Sequence, residues 1–140
     1  MIEHYKMFIG GNWIDSESKE KIKIINPAEG KIFADVPKAS KKDVKDAVNI
    51  ADEIFSEWAE LSPFERGKYL RKASRIVRSK AKEIAELMTK EQGKPLKEAE
   101  GEVIKGANIL RYYAEEGERV YGRIISNKKK IRKAKLFISL

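Results

Sequence analysis

The stretch that most constrains this 140-residue chain is Thr89 to Val103, Thr-Lys-Glu-Gln-Gly-Lys-Pro-Leu-Lys-Glu-Ala-Glu-Gly-Glu-Val. One amphipathic helix stops here and another begins. Gly93 can take the left-handed conformation that closes a helix, and Pro95 suits the first turn of the next, where its missing N–H costs nothing. Any fold of this chain has to place two helices at an angle around this corner.

Upstream of the corner, Ser40 is a helix cap, and Val44, Ala47, Val48, Ala51, Ile54, Phe55 and Trp58 follow at the three-and-four spacing of one helical face. Ser62-Pro63-Phe64-Glu65 reads as a capping box with Pro at the first helical position. Leu70, Ala73, Ile76 and Val77 mark the buried face of that helix, and Ile84, Ala85, Leu87 and Met88 resume it after a polar break near Ser79, which predicts two helices in tandem. Beyond Pro95, the positions Ala99, Val103, Ala107, Leu110 and Ala114 predict a further helix ending near Gly117 or Gly122. Tyr112 and Tyr113 are expected to pack as core aromatics on its face.

Before the helices, Phe8-Ile9-Gly10-Gly11-Asn12-Trp13-Ile14-Asp15 places two short apolar or aromatic pairs around residues that accept positive φ, a hairpin signal. Lys21–Ile25 and Lys31–Val36 repeat it around Asn26-Pro27-Ala28-Glu29-Gly30. Trp13 reads as a packed aromatic anchor, Asn26-Pro27 as a turn, and the lone His4 as a solvated side chain with no orienting partner in view. The residues alone thus describe two N-terminal β-hairpins, three or four amphipathic helices and a short basic, strand-like tail.

Composition narrows the functional classes. The net charge of +8 raises nucleic acid as a partner, yet Arg123 to Leu140 holds seven basic and no acidic residues, leaving 23 basic against 22 acidic elsewhere. The basicity belongs to the tail, so a small basic nucleic-acid-binding protein and a helical interaction module stand only as alternatives. The charged content of 37% is of a thermophile-like kind. No apolar run is long enough for a membrane span and the N-terminus carries no signal-like segment, so a cytoplasmic location is expected. With no cysteine, the chain has no thiolate nucleophile, thiolate metal site or disulfide.

Other site chemistry is equally sparse. There is no Gly-x-Gly-x-x-Gly and no Gly-Lys-Ser/Thr, so the glycine spacing that lets a backbone approach phosphate is missing. One histidine without cysteine makes no zinc site. Glu98 and Glu102 share a helix face, but a solvated or salt-bridged stripe accounts for them better than an acid/base pair. No catalytic residue is expected within the chain.

The order of motifs carries more than any one of them. Phe-Ile-Gly-Gly-Asn-Trp-Ile-Asp, Asn26-Pro27-Ala28, Phe55-Ser56-Glu57-Trp58, Arg66 with Leu70, Glu91-Gln92-Gly93-Lys94-Pro95, Glu98-Ala99, Glu102-Val103, Arg111-Tyr112-Tyr113-Ala114 and Tyr121-Gly122 succeed one another over residues 7–125. This succession resembles the N-terminal region of the aldehyde dehydrogenase superfamily, in its succinate-semialdehyde and lactaldehyde branch. The resemblance implies an α/β fold present here as an incomplete piece, with residues 1–125 as the N-terminal part of an NAD(P)-binding domain. In that family a cysteine thiolate attacks the aldehyde, an asparagine and a backbone N–H stabilise the oxyanion, hydride passes to NAD or NADP, and a glutamate activates water. The segments bearing those groups are absent, so the resemblance implies a truncated part of an oxidoreductase, inactive alone and binding no cofactor by itself. Its partners would be the remaining part of a dehydrogenase or a second copy, and an aldehyde only in a full-length context.

By the same resemblance, Gly101 and Lys105 fall on positions lining the substrate tunnel, with Lys105 able to attract a carboxylated aldehyde. Glu91 matches a position near a monovalent-cation site in some members. Residues 126–140 depart from the family's pattern. The Lys- and Ile-rich ending is read either as the start of the oligomerisation arm or as out-of-frame sequence in a truncated or frameshifted product.

Overall fold

A computed structural model describes residues 2–121 together with the backbone of two short strands, Arg123–Ile125 and Ala134–Leu136. The chain runs through five short strands, β1 (Glu3–His4), β2 (Met7–Ile9), β3 (Asn12–Ile14), β4 (Lys21–Asn26) and β5 (Lys31–Pro37). Four helices follow, α1 (Lys41–Glu60), α2 (Pro63–Ser79), α3 (Ala81–Gln92) and α4 (Leu96–Glu116), then a 3-10 turn at Gly117–Arg119 and the strands β6 (Arg123–Ile125) and β7 (Ala134–Leu136). Four helices and few strands match the N-terminal part of the expected fold.

Local chemistry accounts for the element ends. Gly10 and Gly11 both take positive φ, 58° and 79°, so the two-residue turn follows the strand twist and sets Phe8 opposite Trp13, their rings 5.0 Å apart. Between β4 and β5, the Asn26 side chain accepts from Ala28 N–H at 3.0 Å, its carbonyl accepts from Gly30 N–H at 2.8 Å, and Gly30 turns at φ 66°. β1 then joins β5 in parallel, giving the order β1-β5-β4, an arrangement the two-hairpin reading did not contain. His4 is therefore not a lone solvated side chain. The register sets it opposite Asp35, whose carboxylate lies 2.8 Å from His4 Nδ1 and 3.1 Å from Lys21 Nζ. The hydrogen bond from His4 is the main reason that Asp35 is held below the usual carboxylate range.

Ser40 and Ser62 each close a reciprocal cap. Ser40 Oγ accepts from Asp43 N–H while Asp43 accepts from Ser40 N–H, and Ser62 pairs with Glu65 in the same way. The polar break near Ser79 is a single non-helical residue, Lys80 (φ −102°, ψ 15°). Gly93 closes α3 at φ 74°, its N–H donating to Thr89 O at 2.9 Å. Pro95 sits one position earlier than the sequence suggests. It is the N-cap of α4 rather than part of its first turn, in the extended conformation (ψ 135°), and its carbonyl accepts from Glu98 and Ala99 N–H. α4 ends in a 3-10 turn at Gly117, ahead of Gly122.

Packing centres on α2, α3 and α4. Ser74 Oγ donates to the buried Ala107 carbonyl at 2.7 Å, and a Cβ at Gly67 would stand 3.0 Å from Ala114 O, so α2 and α4 approach closely along small residues. The core proper is Ala81, Ala85, Ala99 and Val103, with Val77, Ile84, Met88 and Ile104 packed against it. Among the described residues no large side chain is fully buried. α1 makes only marginal contact with other elements and leaves Val44, Val48, Ile54 and Phe55 more than half exposed. Trp13, Tyr112 and Tyr113, expected as packed aromatics, are also more than half exposed, because nothing among the described residues covers their side of the hairpin or of α4. No helix among the described residues is long and apolar enough to cross a membrane.

One buried carboxylate ties the strands to α1. Asp43 accepts from Ser16 Oγ at 2.7 Å as well as from Ser40 N–H at 2.7 Å, and these bonds lower it from 3.8 to about 2, the Ser16 hydroxyl contributing most. A carboxyl depressed on folding stabilises the fold above its unfolded value and loses that contribution as pH falls through its folded value. Asp43→Asn is therefore expected to lower the melting midpoint near neutral pH, with the gap from wild type closing between pH 3.8 and about 2. Thermal melts across that window check it, and a gap independent of pH would refute the assignment. At the helix corner, Gly93→Ala is expected to cost about 1–2 kcal/mol or more. It places an L side chain at positive φ, with its Cβ 2.9 Å from Pro27 Cγ. Gly106→Ala, in open space inside α4, should instead stabilise by up to about 1 kcal/mol. Urea titrations of the two variants read the contrast.

Candidate functional site

α4 presents two sides. Ala99, Val103, Ala107 and Ala114 are buried against α2 and α3. At about 100° per residue, Gly101 and Lys105 fall together on the opposite side, and both are exposed. A Cβ at Gly101 would meet no heavy atom within 4 Å, so the surface beside Lys105 is open. Lys105 has no carboxylate partner among the described residues, whereas Lys94 reaches from the helix corner to Glu102 on the next turn. That ion pair takes up Glu102, and Glu98 stays exposed, so the two glutamates form a solvated, partly salt-bridged stripe. Glu91 is exposed in the last turn of α3, some distance along the chain from Gly101 and Lys105. Among the described residues no group of three or more His, Cys, Asp or Glu is placed to hold a metal ion.

Two apolar openings lie elsewhere, between the β2–β3 hairpin and α1. One, of about 440 Å³, is lined by Phe8, Ile9, Ile50, Ile54, Phe55 and Trp58. Another of about 440 Å³ continues along α1 past Met7, Val44, Ala47 and Val48. At the tip of the hairpin a Cβ on Gly10 would stand 3.2 Å from Ile50 Cδ1. The result is a continuous apolar trough open to solvent, not a closed cavity with convergent polar groups of the kind that binds a small molecule.

Sequence reasoning missed a third feature. A groove of about 510 Å³ between α2 and α4 is lined by Lys68, Arg71, Arg75, Arg78 and Arg111, with Ser74 and Glu115. Its signal was present as three-four-three spacing of cations along α2, but it passed as the ordinary charged face of an amphipathic helix.

None of these features fits a dinucleotide. The β5-to-α1 connection, Lys38-Ala39-Ser40, contains no glycine, and Gly10-Gly11 turns a hairpin instead of opening a helix. The described residues therefore make no phosphate cradle of the strand, glycine loop and helix type. Nor is there a thiol to attack a carbonyl.

Comparison with known proteins is decisive for the family. The model of the aldehyde dehydrogenase family matches residues 13–138, through the basic tail. The mitochondrial succinate-semialdehyde dehydrogenase of Arabidopsis thaliana is 48% identical over 117 residues, which are 84% of this chain and 22% of that protein. The alpha-ketoglutaric semialdehyde dehydrogenase of Bacillus subtilis is 43% identical over 122 residues, 86% of this chain and 25% of that protein. The crystal structure of lactaldehyde dehydrogenase from Escherichia coli superposes with a TM-score of 0.88 at 31% identity, covering 93% of this chain and 27% of the other. The chain thus spans about a quarter of the length of the relatives it matches. Nothing in these likenesses supports the nucleic-acid-binding or interaction-module alternatives. With the family model matched over most of its length, this chain belongs to the aldehyde dehydrogenase family.

Proposed function

We propose that this chain supplies the N-terminal, structural part of a cytoplasmic NAD(P)-dependent aldehyde dehydrogenase that oxidises a carboxylated semialdehyde, and that it is inactive without the catalytic remainder. The observation that carries the reading is the open apolar trough between the β2–β3 hairpin and α1. Apolar area of this extent exposed on a folded unit marks a surface that another element covers. The cysteine-free composition supports the second half, because thiohemiacetal formation has no nucleophile here. In this reading the hairpin and helices cover the NAD(P)-binding sheet, which the remainder contributes together with the cysteine, asparagine and glutamate.

Gly101 and Lys105 then line the substrate tunnel. Two of the relatives are named for succinate and alpha-ketoglutaric semialdehydes, molecules with a carboxylate remote from the aldehyde. An exposed ammonium at Lys105 beside the open surface at Gly101 suits attraction of that carboxylate. Glu91 is assigned, by resemblance alone, to the neighbourhood of a monovalent cation. Residues 1–125 form part of the NAD(P)-binding domain, and 126–140 begin the oligomerisation arm. The pairing of Arg123–Ile125 with Ala134–Leu136 and a family match continuing to residue 138 support the arm over an out-of-frame tail. The tail residues between and beyond those strands lie outside the described residues.

Co-expression with the catalytic part of a semialdehyde dehydrogenase that lacks its own N-terminal region tests the proposal. NAD(P)-dependent oxidation of succinate semialdehyde is expected only from the assembled pair, with loss of the hydrophobic-dye binding expected of this chain alone. In the active pair, Lys105→Ala should raise KM for succinate semialdehyde about tenfold with kcat nearly unchanged, and leave uncharged lactaldehyde unaffected. Turnover by the isolated chain, or a stable assembled pair without turnover, would refute the reading. Equal effects of Lys105→Ala on both aldehydes would refute the role of that residue.

A further inference from the structure

The near-balance of charge outside the tail conceals a local excess. Residues 66–82 hold eight basic residues and no acidic one. Four of the eight, Lys68, Arg71, Arg75 and Arg78, recur at three- and four-residue spacing and line the groove that α2 forms with α4. Like charges at these spacings repel one another along a helix, so the stability of α2 itself does not account for them. An anion in the groove would relieve the repulsion.

Two of the four cations are already engaged. Arg71 donates to Glu118 at 2.7 Å and Arg78 donates to the Asn108 side chain, which turns both toward α4. Lys68 and Arg75 are exposed and have no carboxylate partner among the described residues. The acidic residue one turn before Lys68 is Glu65, and its carboxylate is turned back to accept from Ser62 N–H and Ser62 Oγ. Lys68 and Arg75 are seven residues apart, so they stand nearly in line on α2 with about 10 Å between them along the axis.

α4 contributes a third cation between these two. Ser74 meets the Ala107 carbonyl and Gly67 lies against the Ala114 carbonyl, so seven residues along α2 match seven taken backwards along α4. This antiparallel register sets Arg111 level with Leu70, across the groove from the interval between Lys68 and Arg75. Arg111 Nε donates to Glu115 at 3.1 Å, an exposed pair within one helix and therefore a weak one, and the two Nη groups bond no carboxylate among the described residues.

We propose that Lys68, Arg75 and Arg111 form a binding site for a short chain of linked phosphates, of which inorganic triphosphate is the type. Cations spaced in this way are bridged by a ligand carrying several anionic groups in a row, whereas a single phosphate or carboxylate meets one of them at a time. Guanidinium forks match phosphoryl oxygens in pairs, and the Lys68 ammonium adds a compact charge at one end. The groove, about 510 Å³, is lined by charged side chains and the Ser74 hydroxyl, with no aromatic or aliphatic side chain to hold a base or a lipid tail. The phosphates are thus recognised for themselves, whether free or at the end of a nucleotide. The site is built from side chains and needs no glycine loop. It shares no lining residue with the apolar trough, so it stands or falls separately from assembly with a catalytic remainder.

Calorimetric titration of the full chain with inorganic triphosphate, at about 0.1 M salt, tests it. One equivalent is expected to bind, and less tightly as salt rises. Lys68→Ala, Arg75→Ala and Arg111→Ala should each weaken binding about tenfold or more, the scale of one charged hydrogen bond, with helicity unchanged by circular dichroism. Arg75→Lys keeps the charge without the fork and should lose less than Arg75→Ala. Lys23→Ala with Lys31→Ala, on the β4–β5 hairpin, should bind as wild type does. ATP is expected to match triphosphate, because nothing in the groove meets the base, while orthophosphate and citrate bind at least about tenfold more weakly. Four results would overturn the proposal: no saturable binding by wild type, binding that all three alanine variants retain, ATP about tenfold tighter than triphosphate, or citrate equal to triphosphate.

Discussion

The close approach of α2 and α4 is the contact on which the rest of the structure depends. It exists because small residues line the seam. Gly67 faces the Ala114 carbonyl and Ser74 bonds the Ala107 carbonyl, leaving room for two helix backbones but for no large side chain. α3 packs against α4 in the same manner through Ala81, Ala85 and Ala99. Interiors built from alanine bury little apolar area per residue, and burial of area is the main favourable term in folding. The helices meet tightly, but much of the chain's large apolar side-chain surface stays outside this core.

That distribution explains the character of α1. It is capped at its start by Ser40 and Asp43 and anchored to the strands by Ser16, yet along its length it touches little. One side is apolar and faces the trough beneath the hairpin, while the other is acidic. The chain spans about a quarter of the proteins it resembles, and in the proposed reading the remainder of such an enzyme covers the apolar side of α1. The family assignment and the exposed surface agree, although they rest on separate evidence.

Much of the local structure was legible because it is set by interactions a few residues apart. Ser40 with Asp43, Ser62 with Glu65 and Gly93 after Gln92 satisfy backbone groups at helix ends, and those groups need partners in any fold. Pro95 was misplaced by one position because the extended conformation it adopts serves equally as a cap. The aromatics were harder to place. Periodicity identifies the side of a helix or hairpin that avoids water, but not whether the covering partner is present. Tyr112, Tyr113 and Trp13 were therefore expected inside and are found exposed. His4 was read as solvated because its partner, Asp35, is 31 residues away and reaches it only through a parallel strand pair. Gly101 and Lys105 came from resemblance alone, since an exposed glycine and lysine on a helix carry no chemical signal of their own.

By itself, the sequence determined the helix caps at Ser40, Ser62 and Gly93, the turn glycines, the absence of a thiol nucleophile and, through the order of its motifs, the family. These depend on backbone hydrogen bonding and composition, which act locally or need no geometry. Only the tertiary structure decided that β1 joins β5, that the seam of α2 and α4 is lined by small residues, and that five cations converge on one groove. Such facts depend on which distant faces meet. A periodic pattern states that a face wants a partner, and only packing shows whether it has one.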